Sequence, residues 1–438
     1  MALPPLAQAL ADCAGAPDKA AALAGEAIAA VAPDGGPLKT FIAVAPETAP
    51  DPERSSDALL GCVFSLKDNI DVAGFTSTCG SRVLENEPPA AKDSWISNAL
   101  KKAGAQCIGK NNMHEFALGG TGVNARFGNT VNPWDATRNC GGSSGGSASA
   151  IATGQVHLSL GTDSGGSVRM PAAFTGITGF KPTAGRLPMD GVVGAAWTID
   201  CLGLFTRTVA DMRTVWSAIV EPNAKAPAVP RYGYLDDDSM GRVEPVVWEK
   251  YRASIETLRA AGAELTPISI AGFNDCPSIC MTLAYAEVAS LQYELLRERA
   301  ALYDQDIRGI ICLGELWSGR HYLDAERLRT VFRARFAEIM APFDAIITPS
   351  VAIQPPKNGE QPHVTGDPPG AYLYALMRFT VLHNITGYPG ISVPSGLDRD
   401  GLPTGIQLIG RPGRDAELLA LAGAAEAALG PMPAPPAN

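Results

Sequence analysis

Charged side chains, long apolar runs and paired cysteines are all scarce in this 438-residue sequence, and each shortage excludes a class of function. Only 18% of residues are charged, and 45 acidic against 35 basic side chains leave a formal net charge of −10. A basic face for nucleic acid or an anionic membrane surface is therefore not expected. No apolar run reaches the length of a membrane span, and the first residues lack a basic stretch leading into an apolar segment and a small-residue cleavage site. An unexported, cytoplasmic chain with no membrane attachment is the expectation. Nine cysteines, an odd number scattered from Cys13 to Cys312, do not form the dense framework of a small secreted domain. Cys276 and Cys280 have metal-like spacing, but no second pair or nearby histidine completes a site. They are read as free thiols, Cys140 as a packing residue, and no metal or cofactor is expected.

What remains is an ordinary globular composition, 46% hydrophobic, long enough to bury a large core and, by length alone, to form two or three domains. Residues 1–54 are read as an N-terminal helical segment, alanine-rich over 5–32, with Leu6, Leu10 and Leu23 among small residues. Over 59–212, short β-type runs alternate with helical ones, including a helix near 94–103 and a strand at 105–110, the pattern of a layered α/β sheet. A Pro-rich stretch at 221–230 links this part to a second one beginning near Arg231. There the sequence predicts a strand at 232–235, an amphipathic helix over 245–261 with proline in its first turn, and strands at 264–270 and 345–349. The domain is bounded at about 55–425, with a serine-rich part at 60–212 and the second α/β part at 231–425. Residues 426–438 are read as a tail, disordered from Pro431 onward.

Chemistry concentrates in two glycine-serine clusters, residues 141–147 (Gly-Gly-Ser-Ser-Gly-Gly-Ser) and 162–167 (Thr-Asp-Ser-Gly-Gly-Ser), with Lys67 upstream at the end of an apolar, strand-like run over 59–64. A serine hydroxyl needs a neighbouring base, and lysine can serve if burial keeps it neutral. Gly165 and Gly166 allow the backbone to approach a ligand closely, so successive N–H groups could form an oxyanion hole just before a nucleophilic Ser167, each donor typically worth roughly 3–4 kcal/mol. Residues 141–145 also fit the Gly-x-Ser-x-Gly nucleophile elbow of an esterase. That motif requires a strand immediately before it, whereas residues 132–139 are polar and turn-forming. It also requires a late histidine: His363 follows Gln361-Pro362 in a loop, and His321 and His383 lie in helix-like runs.

Lys67, the Gly-Gly-Ser-Ser-Gly-Gly-Ser stretch and Thr-Asp-Ser-Gly-Gly-Ser-Val-Arg together resemble the amidase signature family, including the 24-residue separation of Ser143 and Ser167. The likeness extends over about residues 55–425, through 104–119, 180–183, 203–208, 384–394 and 401–410. It implies an α/β fold with a central twisted mixed β-sheet covered on both faces by helices. It also implies Ser167 as nucleophile, Ser143 on a cis peptide bond as proton relay and Lys67 as base, with the backbone N–H groups of Ser164, Gly165, Gly166 and Ser167 as oxyanion donors. Many members carry threonine or an aliphatic residue where this chain has Ser164, a difference that leaves the backbone donor intact.

Substrate choice is less legible. Residues 270–380 hold 12 of the 29 aromatic residues, including Tyr285, Tyr293, Tyr372 and Phe379, and in the family this region lines the substrate's two sides. An apolar or aromatic substrate is expected, with Met113, Gly142, Met189, Trp197, Trp317, Tyr322 and Tyr374 as pocket candidates, although rings here could equally pack helices together. The leading reading is a stand-alone hydrolase of a small carboxamide, anilide or carbamate, with a homodimer left open. The alternative is the glutaminase-type subunit of a glutamine-dependent tRNA amidotransferase, which would need a partner subunit; an esterase or a non-catalytic binding protein comes last.

Overall fold

A computed structural model describes residues 2–32, 35–235, 240, 242–360 and 372–436. Among the described residues eleven strands form one mixed sheet: β1 (Phe41–Val44), β2 (Val63–Lys67), β3 (Gln106–Asn111), β4 (Leu158–Asp163), β5 (Thr178–Lys181), β6 (Cys201–Thr206), β7 (Arg231–Leu235), β8 (Glu264–Ile268), β9 (Ala345–Pro349), β10 (Gly390–Leu397) and β11 (Pro403–Ile409). Their spatial order is β1-β3-β2-β4-β6-β5-β10-β11-β9-β7-β8. β2 runs parallel to β3 and β4, and β7 parallel to β8 and β9, while the other pairings are antiparallel.

Thirteen α-helices among the described residues cover the sheet: α1 (Leu6–Cys13), α2 (Pro17–Ala30), α3 (Trp95–Lys102), α4 (Gly145–Ala152), α5 (Arg169–Thr175), α6 (Val209–Ile219), α7 (Pro245–Ala260), α8 (Cys276–Arg299), α9 (Gln305–Glu315), α10 (Gly319–Met340), α11 (Tyr372–Met377), α12 (Val381–Thr386) and α13 (Asp415–Leu429). β2, β3, β4, β6, β9 and β11 are buried at every residue, as a sheet covered on both faces requires. Phe64, Leu66, Leu160, Leu204, Ile347 and Leu408 anchor the main core, and Phe180 meets Trp216 edge-on at 5.3 Å between ring centroids. β8, at the sheet's edge, is largely exposed and carries Glu264 and Pro267, which discourage further strand pairing.

The structure revises the expected layout at three places. The N-terminal segment is not only helical, because β1 pairs antiparallel with β3 and closes one edge of the sheet. The serine-rich part and the second α/β part share that same sheet: β10 pairs with β5 on one side and β11 on the other, so late strands sit at its centre. The tail begins later than 426, since α13 runs to Leu429; beyond it Arg207 Nη2 donates to the carbonyl of Pro433 at 2.7 Å. Residues 437–438, part of the expected tail, and His363 lie outside the described residues. Cys276 and Cys280 are free and buried in the core, and Cys140 is buried with its thiol pushed up to about 12 by burial. Among the described residues no helix is long and apolar enough to cross a membrane.

Candidate active site

Two neighbouring parallel strands end at the same level, and their carboxyl ends carry the chemistry. β2 finishes at Lys67 and β4 finishes at Thr162-Asp163, with Leu66 in register with Leu160. The carboxyl ends of parallel strands are where loops diverge and leave room for a site. Ser143 reaches this place from the loop before α4, across a cis Gly142–Ser143 peptide bond. Residues 132–139 form turns and an isolated bridge between Val131 and Asn139 rather than a strand, so the elbow geometry of an esterase is not built here.

Lys67 Nζ donates to Ser143 Oγ at 2.7 Å and to Thr162 Oγ1 at 2.8 Å. Both Lys67 and Ser143 are fully buried, and burial brings the lysine down to about 7, against the opposing pull of Asp200 and Asp163. A neutral amine keeps a lone pair, so one of its two hydroxyl contacts can reverse and accept a proton. The serine loops are joined where Ser144 N donates to Ser167 O at 3.4 Å. Of the three expected catalytic side chains, Ser167 lines a cavity beside this loop.

The loop 163–167 is held by a buried polar network that the sequence reading did not foresee. Arg169 makes a two-point contact with Asp163, at 3.0 Å through Nε and 2.7 Å through Nη2, and also donates to Thr380 O, Asn384 Oδ1 and Gln407 Oε1. Burial opposes ionisation of Asp163, yet the guanidinium holds its carboxyl below the usual range. Thr380 Oγ1 donates to Gly165 O at 2.6 Å, and Asn384 Nδ2 donates to Asp163 O at 2.7 Å. Gly166 has φ of +122°, and a Cβ there would lie 2.2 Å from Thr380 Oγ1, so both backbone and space demand glycine.

One expected oxyanion donor is already used. Gly166 N–H donates to Asp163 Oδ1 at 2.9 Å, because the loop curls over that carboxylate, while the N–H groups of Ser164, Gly165 and Ser167 meet no acceptor among the described residues. On the other side, Ser164 Oγ donates to Asp200 Oδ1, whose second oxygen accepts from Ala195 N and Ala196 N. Burial raises the Asp200 carboxyl, and these donors work against that shift. The sequence reading gave no role to Thr162, Asp163, Arg169 or Asp200; the Asp-Ser-Gly-Gly-Ser-Val-Arg string offered the one hint, a carboxylate six residues before an arginine.

The cavity, about 70 Å³, is lined by residues 117–120, Ser164, Gly165 and Ser167 of the loop, Met170, Ala195, the α8 residues Cys280, Met281, Ala284 and Tyr285, and Leu373 and Met377 of α11. No charged side chain lines it among the described residues. None of the seven expected pocket residues does either. Met113 is buried, with its carbonyl accepting from Asn124, and a Cβ on Gly142 would meet the backbone of Gly119, Thr121 and Gly122. Met189 packs on the main core, and Trp197 is 58% exposed. Trp317 and Tyr322 line a separate groove between α8, α9 and α10, and the Tyr374 hydroxyl bonds that of Ser278 at 2.6 Å. The rings mostly pack helices, and the pocket is instead made by glycine, alanine and sulfur-bearing residues that leave space beside the loop. Tyr285 is the one ring among its described lining residues.

The Amidase family model matches residues 38–419. The chain belongs to the amidase family. Its curated relatives include a subunit of the glutamyl-tRNA(Gln) amidotransferase of Anaeromyxobacter sp. strain K, 36% identical over 92% of this amidase and 91% of the relative. Among solved structures, the subunit of the same name from Thermotoga maritima is 29% identical with a TM-score of 0.83, covering 99% of this chain and 97% of that one. Another, described as a vestigial protein complex that reveals the origins of an s-triazine catabolic enzyme, is 27% identical with a TM-score of 0.86, covering 96% and 98%. The amidase is thus a hydrolase of carbon–nitrogen bonds on a mixed α/β sheet. The names of these first relatives stand nearer to the alternative of an amidotransferase component than to the leading reading of the sequence.

Proposed function

We propose that this amidase cleaves the C–N bond of a small, uncharged carboxamide through an acyl-enzyme on Ser167, and that it does so without a partner subunit. The class of chemistry rests on Lys67, a fully buried amine brought down to about 7 and placed 2.7 Å from Ser143 Oγ. In this reading neutral Lys67 takes the Ser143 proton while Ser143 takes that of Ser167, whose Oγ attacks the carbonyl. The N–H groups of Ser164, Gly165 and Ser167 then receive the developing oxyanion, and Gly166 N–H stays on Asp163 to hold the loop. The relay runs backwards to protonate the departing amine, and water releases the acyl group by the same path.

The substrate class rests on the uncharged cavity lining. A glutamine head group carries an ammonium and a carboxylate, and placing either in an apolar pocket without partners is costly. The relatives' names support a second reading, a glutaminase subunit that supplies ammonia to a partner. Ammonia release by the purified chain from acetamide, propionamide and glutamine separates the two. Turnover of the neutral amides by the chain alone is the expected result; activity on glutamine only, or only after a second subunit is added, would decide for the amidotransferase component.

The acid limb should follow Lys67. Its base form dominates above about pH 7 and falls tenfold per unit below, so kcat/KM is expected to be level above about pH 8 and to decline with unit slope below about pH 7. A rate still level at pH 5, with the fold intact by circular dichroism, would remove Lys67 as the base.

A further inference from the structure

A methionine lies against the loop that carries Ser167. A Cβ placed on Gly165 would sit 2.5 Å from Met377 Cε, so the methionine methyl rests directly on the loop that carries the oxyanion donors and Ser167. Met377 and Leu373, one turn apart on α11, line the cavity together with Cys280, Met281, Ala284 and Tyr285 of α8. The backbone of Met377 is held in place: Thr380 N donates to Met377 O at 3.0 Å, and the Thr380 hydroxyl donates to Gly165 O at 2.6 Å, tying the end of α11 to the loop itself. The thioether beyond it turns about three bonds and adapts to what it touches.

From this arrangement we propose that Met377 sets the size of the acyl group, acting as a plug that admits short aliphatic carboxamides and turns away aromatic ones. The inference rests on the neutral-amide reading and deepens it. The cavity of about 70 Å³ is well short of the roughly 150 Å³ of an engineered apolar cavity that takes benzene. An acetyl or propionyl group fits beside Ser167; a benzoyl group requires the plug to leave. Removing Cγ, Sδ and Cε takes three heavy atoms out of the wall where it meets Gly165. The anchored backbone and the partly exposed side chain make truncation compatible with folding.

Wild type and the graded series Met377→Leu, Met377→Val and Met377→Ala should be compared in two measurements: hydrolysis of propionamide against benzamide, and the rate at which an ethylphosphonofluoridate and a phenylphosphonofluoridate label Ser167. The expected result is a bulky-to-small preference that changes little in the leucine variant and rises in steps through valine to about 10-fold or more in alanine, in both measurements. The valine variant keeps the test alive if the alanine one does not fold. A preference that stays flat across folded variants overturns the plug. Labelling of Ser167 without turnover of any neutral amide sinks the substrate reading, and absence of label on wild-type Ser167 sinks the nucleophile assignment; those failures are distinguishable from a flat series.

Discussion

Lys67→Met is expected to lower kcat/KM by about 10²–10⁴-fold, the usual contribution of a positioned general base, while the protein stays folded. Methionine matches the length of lysine without the amine, so the site keeps its packing and loses only the group that accepts the Ser143 proton. Thr162 Oγ1, one of the two hydroxyls bound to Lys67, still accepts from Asn69 Nδ2 at 3.3 Å. Burying the ammonium form is unfavourable, as the fall of Lys67 to about 7 indicates, so removing it should leave the melting temperature unchanged or raise it. Steady-state kinetics and a thermal melt on the same preparation suffice. Retention of more than a tenth of wild-type activity would contradict the relay, whereas lost activity together with a collapsed melt would mark Lys67 as structural.

Arg169→Met is expected to carry the largest stability cost of any single change near the site. The guanidinium and the Asp163 carboxylate are both fully buried and 2.7 Å apart, and removing one partner of such a pair leaves an uncompensated charge, at a cost of about 3–5 kcal/mol. That is a large share of the roughly 5–15 kcal/mol that holds an ordinary domain together. Activity should fall as well, because Asp163 fixes Gly166 N–H, and through it the loop bearing Ser167. Arg169→Lys should recover only part of the loss, since a single ammonium cannot reproduce the planar fork that reaches Asp163, Asn384 and Thr380 at once. Urea unfolding measures this directly, and a shift worth less than about 1 kcal/mol would refute the assignment. The sign with pH is fixed by the lowered Asp163 carboxyl: the pair stabilises fully above the ordinary carboxylate range and is lost as acid protonates Asp163 below it.

Much of this was written locally in the chain. The strands at 106–111, 231–235 and 345–349, and the helices at 95–102 and 245–260, fall within a few residues of where periodicity and capping place them, because each is decided by its own apolar spacing and end residues. The serine loops were legible for a related reason: a string such as Gly-Gly-Ser has few roles available when a lysine and a second glycine-serine cluster accompany it. Residues 41–44 were missed as a strand because only pairing with β3 stabilises so short a segment. The expected rings do not line the cavity beside Ser167, because ring content measures how helices pack, whereas this cavity is made where side chains are small or thin.

By itself, then, the sequence determined the family, the mixed α/β class and the three side chains proposed to do the chemistry, since these depend on residue identity and on spacing along the chain. Tertiary structure alone decided which loop donors are free, that Asp163 and Arg169 brace the loop, and that Met377 lies over Gly165. Those contacts join residues up to 238 positions apart, as between Arg169 and Gln407, and no local pattern encodes which distant groups a folded sheet brings within hydrogen-bonding distance.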